Sequence, residues 1–137
     1  MVTEEFSLPV RVYIEDTDAG GIVYYVNYLK YLERARTEFM RALGFDKPAF
    51  SGDELMFVVT ELSAHYHRPA RLDDALQATA LLKDVGAATL HFEQRVYRDD
   101  STLMVADVRL ALVAIASGRP RRLPKVLRAA LTAQQTT

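Results

Sequence analysis

Between Tyr28 and Leu43 apolar side chains recur at the spacing of one helix face, and from Phe57 onward the period drops to two. One helix followed by a run of strands, with no regular βαβ alternation, predicts an α+β chain in which an antiparallel sheet of about five strands wraps around a long helix. Tyr28, Leu32, Ala35, Phe39 and Leu43 mark the stripe to be buried, with Asn27 as N-cap and Gly44 as C-cap. Lys30, Arg34, Thr37, Glu38 and Arg41 fall on the other side, where Arg34 and Glu38 are spaced as an i,i+4 ion pair. Asp46-Lys47-Pro48 predicts the start of a short second helix, with Phe45 and Phe50 as a hydrophobic staple and Gly52 as its end.

The strands follow from alternation. Val10, Val12 and Ile14 outline a first strand, and Phe57–Tyr66, Ala75–Lys83, Ala88–Arg98 and Leu103–Ala116 outline four more, none holding proline. The last two read as a hairpin across Asp99-Asp100-Ser101, with Leu90, Phe92 and Val96 on one face and Ala106, Val108 and Leu110 on the matching face of the partner. A register that sets Glu93 against Arg109 and Arg95 against Asp107 makes two opposite-charge cross-strand pairs. Ser117-Gly118-Arg119-Pro120 closes the last strand, and Lys125–Thr132 either forms a terminal helix or frays.

At 137 residues the chain is expected to form a single domain over residues 1–137. Its 17 basic and 18 acidic side chains leave a net charge of −1 without blocks of one sign, which argues against nucleic acid as a partner. The absence of cysteine excludes disulfides, thiolate metal sites and a cysteine nucleophile. No long apolar run occurs and the N-terminal stretch carries two glutamates, so neither a signal peptide nor membrane insertion is expected, and a cytoplasmic location is.

Chemistry concentrates in Asp16-Thr17-Asp18-Ala19-Gly20-Gly21-Ile22-Val23-Tyr24-Tyr25-Val26-Asn27-Tyr28, a loop with paired acids that runs through two glycines into the start of the helix. Gly20-Gly21 lets a ligand approach the backbone closely. The unpaired amides of a helix start can hold a developing oxyanion, and an acid just upstream can act as base or nucleophile. Asp-x-Asp before Gly-Gly is equally the composition of an ordinary Asx turn, so the residues alone leave both readings open.

The string Asp-x-Asp-x-x-Gly-Ile-Val-Tyr-Tyr-x-Asn-Tyr, within a longer likeness from Arg11 to Gly44, resembles the signature of the hotdog-fold acyl-CoA thioesterases of the 4-hydroxybenzoyl-CoA thioesterase type, and within them the branch associated with the bacterial Tol-Pal cell-envelope system. Similarity continues through Tyr66, Pro69-Ala70-Arg71-Leu72-Asp73-Asp74 and Arg121-Arg122-Leu123-Pro124-Lys125. The resemblance implies a hotdog fold, hydrolysis of an acyl-CoA, and a homodimer or homotetramer whose sites form between protomers. It places Asp18 on the catalytic aspartate and Tyr25 where a backbone N–H meets the thioester oxygen, while Asp16 is a loop or cap residue. Gly20, Gly21, Ile22, Asn27, Tyr28, Glu33 and Val59 are the expected substrate-binding positions. Glu33 sits where the hydroxybenzoyl enzyme holds its substrate's phenol, yet Glu33-Arg34 is the pattern of the Tol-Pal branch, which argues against an aromatic hydroxyacyl group.

The mechanism so implied needs no metal and no organic cofactor, CoA being part of the substrate. His65 and His67 alternate on one strand without a third ligand and read as surface or interface residues, and His91 as an exposed strand residue. Arg68, Arg71, Arg119, Arg121, Arg122 and Lys125 read as solvated charge before they read as contacts to CoA phosphates. A hotdog dehydratase is disfavoured because the loop from Asp16 to Asn27 holds no histidine. Acyl carrier protein as acyl donor, and a noncatalytic acyl-binding or scaffold role, stand as alternatives.

Overall fold

The computed structural model describes residues 5–45 and 54–135. Within them β1 (Phe6–Arg11), α1 (Asn27–Ala42), β2 (Leu55–Tyr66), β3 (Ala75–Val85), β4 (Thr89–Arg98), β5 (Ser101–Ala114) and α2 (Lys125–Gln134) follow in order. The strands form one antiparallel sheet in the order β1-β3-β4-β5-β2, with α1 packed on one face, the hotdog arrangement.

The helix stripe is buried as its spacing dictates. Tyr28, Leu32, Ala35 and Phe39 are covered, together with Tyr31 and Arg36. Phe39 meets Phe92 of β4 edge to face at 5.3 Å and Phe6 of β1 at 6.0 Å, contacts worth about 1 kcal/mol each beyond the area they bury. Arg36, only 9% exposed, donates to Gln94 Oε1 at 2.8 Å, and Gln94 Nε2 donates onward to the carbonyls of Leu32 and Thr79, both at 3.0 Å. This buried hub ties α1 to the two central strands. The apolar periodicity gave no sign of it, because both residues are polar. At the helix C-terminus Gly44 takes φ 91°, and the N–H groups of Gly44 and Phe45 return to the carbonyls of Arg41 and Met40, a Schellman ending at the predicted residue.

Several local expectations are corrected. Asn27 is the first residue of α1 and not its cap; its side chain is engaged by the loop instead. Glu38 pairs with Arg41 rather than Arg34, whose guanidinium lies over the Tyr31 ring at 5.7 Å. β1 ends at Arg11, so Val10 and Val12 are buried but Ile14 sits exposed in a 3-10 turn, Ile14–Asp16. The short helix expected at 46–52 falls outside the described residues. β5 stops at Ala114, and α2 is a formed helix anchored by Leu127 and Leu131.

The β4–β5 register is two residues away from the one expected. Glu93 faces Asp107 and His91 faces Arg109. The two-residue turn at Asp99-Asp100, with Asp99 at φ 52°, and a bulge at Leu103 set the offset. Each carboxylate finds a partner elsewhere: Asp107 lies 2.9 Å from the His91 ring nitrogen and Glu93 meets Arg95 at 3.3 Å. His91 is accordingly half-buried rather than exposed.

A second bulge, at Thr60 in β2, sets which side chains of this edge strand face inward. Phe57 and Val59 lie opposite Leu112 and Leu110 before it, and Leu62, Ala64 and Tyr66 lie opposite Val108, Ala106 and Met104 after it. Cross-strand partners share a face, so all these side chains sit on the core side of the sheet. The helix packs on β1, β3 and β4, and the core side of β2 overhangs: Val59 is 47% exposed, Leu62 38% and Tyr66 42%.

Candidate active site

The acid loop is a miniature hairpin. Asp18 N–H donates to the Ile22 carbonyl, Thr17 bridges Val23, and Tyr24 N–H donates to the Asp16 carbonyl, so the two arms pair and Asp18 stands at the tip. Val23 N–H donates to the Ala70 carbonyl at 2.8 Å and docks the return arm on the segment after β2.

The two acids have different work. The Asp16 carboxylate accepts the Tyr13 N–H at 2.8 Å, closing the 3-10 turn, and its carbonyl also accepts Asn27 Nδ2 at 2.8 Å, which ties loop to helix. Asp16 is thus the cap its position implied, and Asn27 is a strut. Asp18 is exposed; its Oδ1 accepts the Gly20 N–H at 2.8 Å in an Asx turn. The turn reading therefore holds for one oxygen, while Oδ2 has no protein donor among the described residues. A Cβ on Gly20 would come within 3.2 Å of that bonded Oδ1, and Gly21 takes φ 81°. A larger residue at position 20 would crowd the carboxylate's seat, and the backbone at position 21 favours glycine.

The return arm then turns into α1. Asn27 N–H donates to the Tyr24 carbonyl at 2.8 Å, making Tyr24–Asn27 a hydrogen-bonded turn with Tyr25 and Val26 at its centre. The N–H groups of Tyr25 and Val26 have no protein acceptor among the described residues. They lie at the positive end of the helix dipole, the setting that favours a negative oxygen.

Beside this turn lies a groove of about 300 Å³, walled by Ile22, Val23, Tyr25, Tyr28, Tyr66 and Pro69, with His67 and Arg68 at its rim. Tyr66 packs edge-on against Tyr28 at 5.4 Å and Tyr25 at 6.1 Å. The Tyr28 hydroxyl accepts the Ala70 N–H at 2.9 Å. Burial raises the phenols of Tyr28 and Tyr66, and burial followed by the Asp16 carboxylate raises that of Tyr31, so all three stay protonated at neutral pH. A larger cavity of about 440 Å³ opens at the other end of α1, among Phe6, Phe39, Leu43 and Leu82, away from the acid loop.

Of the expected site residues, the protomer brings together Asp18, Gly20, Gly21, Ile22, Tyr25, Asn27 and Tyr28 around the hairpin and the helix start. Glu33 is exposed on α1 and Val59 exposed on β2, and neither lines the groove. Tyr66, His67, Arg68 and Pro69 were not expected to line it. Tyr66 and Pro69 did lie within the resembling segments, which was the one available signal. Among the described residues no cluster of three His, Asp or Glu side chains is placed to hold a metal ion.

The fold and this loop have known counterparts. The model of the thioesterase-like superfamily matches residues 12–131. An acyl-CoA thioesterase YbgC of Haemophilus influenzae is 44% identical over 131 residues, 95% of this chain and 96% of that protein. An acyl-CoA thioester hydrolase YbgC of Escherichia coli is 41% identical over 126 residues, 91% and 94% of the two chains. The crystal structure of a probable thioesterase from Bartonella henselae superposes with a TM-score of 0.84 at 34% identity, covering 88% of this chain and all of that one. With the superfamily's pattern spanning both the loop and the sheet, the chain belongs to the thioesterase-like superfamily.

Proposed function

We propose that this chain, acting as one hotdog domain over residues 1–137, hydrolyses acyl-CoA thioesters to free acid and CoA, with Asp18 as base or nucleophile and the Tyr25 N–H as oxyanion donor. The observation that carries the reading is the pairing of an exposed carboxylate, seated through one oxygen only, with unpaired helix-start amides, in a chain this similar to two acyl-CoA thioesterases. In the base route Asp18 takes a proton from water as its oxygen attacks the thioester carbon. The Tyr25 N–H holds the tetrahedral oxyanion, and collapse expels the CoA sulfur, which receives the proton. In the nucleophilic route the carboxylate attacks directly, CoA thiolate leaves, and water then cleaves the mixed anhydride. An oxyanion donor of this kind contributes about 3 kcal/mol to lowering the barrier.

The active unit in this reading is a homodimer, itself able to pair into a tetramer, joined through β2. Its overhanging apolar face supports this, because Val59 and Leu62 are then covered by the partner and Val59 comes to serve an acyl pocket between protomers. A CoA substrate fits a cytoplasmic site of action, and no described helix is long and apolar enough to cross a membrane. Acyl carrier protein is a second donor class, favoured by the exposed Arg119, Arg121, Arg122 and Lys125, which have no carboxylate partner among the described residues.

The test is CoA release from acetyl- through palmitoyl-CoA and 4-hydroxybenzoyl-CoA by the wild type and Asp18→Asn. The wild type is expected to be active and the variant to lose at least about 100-fold in kcat, as when a catalytic acid or base is removed. A folded Asp18→Asn with undiminished turnover refutes the assignment.

A further inference from the structure

The hydroxyl of Tyr66, the last residue of β2, donates to the main-chain carbonyl of Tyr25 at 3.0 Å across a separation of 41 residues. That carbonyl belongs to the Tyr25–Val26 peptide, the central peptide of the Tyr24–Asn27 turn, and a central peptide is the unit that rotates when a turn changes type. Carbonyl and N–H of a trans peptide point in opposite directions, so holding the Tyr25 carbonyl toward β2 turns the Val26 N–H away from it. The neighbouring Tyr24–Tyr25 peptide is held from the other side, by the Asn27 N–H on the Tyr24 carbonyl, which orients the Tyr25 N–H. Both flanking peptides of Tyr25 are therefore restrained, one by the helix itself and one by a side chain from a different element.

We infer that Tyr66 is a positioning residue: its hydroxyl stops the Tyr25–Val26 peptide from rotating and so holds the turn, together with the Asn27 N–H, in the one conformation that presents the Tyr25 N–H to the oxyanion. The Tyr66 ring alone does not do this. It packs against side-chain rings of Tyr25 and Tyr28, which leaves the main chain of the turn free to rotate. Burial keeps the phenol protonated and so a donor throughout the neutral range. An oxyanion hole works by being oriented before the charge develops, so losing this one hydrogen bond acts on the transition state and leaves substrate binding alone.

The inference rests on the thioesterase reading above, and Tyr66→Phe tests it, because this substitution removes one oxygen and keeps the ring. With the acyl-CoA most rapidly hydrolysed by the wild type, kcat is expected to fall about tenfold, the equivalent of one neutral hydrogen bond, with KM within about twofold. The melting temperature and oligomeric state are expected to be unchanged, and hydrogen exchange at the Asn27 amide to speed up as the turn loosens. A kcat within about twofold of wild type, or a loss expressed in KM instead, overturns the inference while leaving the thioesterase reading intact. A wild type inactive on every thioester removes that reading and this inference with it.

Discussion

The two edges of the sheet are built to opposite specifications. β1 is six residues long and has Pro9 in its middle, opposite Gln77. Proline survives in a ladder only with its nitrogen turned outward, so this edge offers one donor fewer to any incoming strand. Its end is sealed as well: Val12 N–H donates to Asp74, Asp73 N–H donates back to Val12, and Arg11 caps the Asp73 carbonyl at 2.9 Å. β2 is twelve residues long, has no proline, and turns exposed apolar side chains toward the core side. A short, interrupted and tied-off edge resists an incoming strand, and a long edge with exposed apolar side chains is the kind the proposed dimer would use. The residues that complete the groove, Tyr66 through Pro69, continue from the second kind of edge.

The largest test of this contrast is Leu62→Lys. On an edge that is buried by a partner, an unpaired ammonium costs several kcal/mol. Light scattering is expected to show a dimeric wild type and a monomeric variant, with kcat/KM down at least about 100-fold because the acyl pocket loses its second wall. A monomeric, fully active wild type would break the comparison outright. An intermediate effect is expected at the sealed edge. Burial alone would raise Asp74, but the Arg71 N–H and the Arg98 guanidinium at 2.8 Å overcome it and hold the carboxyl below its ordinary value. A depressed carboxylate contributes stability that is present above the unfolded pKa and is lost as pH falls through the folded one. Asp74→Asn is thus expected to lower stability by about 1 kcal/mol at neutral pH, with the gap to wild type closing in the acid range, as read from urea unfolding at a series of pH values. The smallest effect is that of Pro9→Val, which restores an outward N–H to β1. Turnover is expected to stay within about twofold, while scattering at high protein concentration rises. Unchanged self-association would show that the proline is not what blunts this edge.

Periodicity revealed most of this architecture because burial enforces it: α1 has one covered stripe and β4 one covered face, and their apolar residues cannot be elsewhere. Features decided by a single extra residue were hidden. The two-residue turn at Asp99-Asp100 sets the β4–β5 register and the bulge at Leu103 shifts it by one, and nothing in an alternating pattern marks either. Ile14 fits the alternation of Val10 and Val12 but is drawn into the 3-10 turn that Asp16 closes. At the site, Asp18, the glycines and the helix start could be read because they are contiguous. Tyr66 could not, because its partner lies across the fold, and the same separation hid the Arg36–Gln94 hub.

Thr60 gives β2 two reading frames. Ahead of it the odd-numbered residues face inward, and behind it the even-numbered ones do, so a single unpaired position resets the phase of the strand. Leu62, Ala64 and Tyr66 owe their inward orientation to a residue that none of them faces across the ladder. Deleting Thr60 would remove the bulge and keep that phase, since Val59 opposite Leu110 would run directly into Glu61 opposite Arg109, whereas pairing Thr60 in an unbulged ladder would turn Tyr66 to the outer face and bring Glu61, Ser63 and His65 to the core side. Along this edge it is the bulge, a choice of which residue goes unpaired, that decides whether the helix start has a tyrosine beside it.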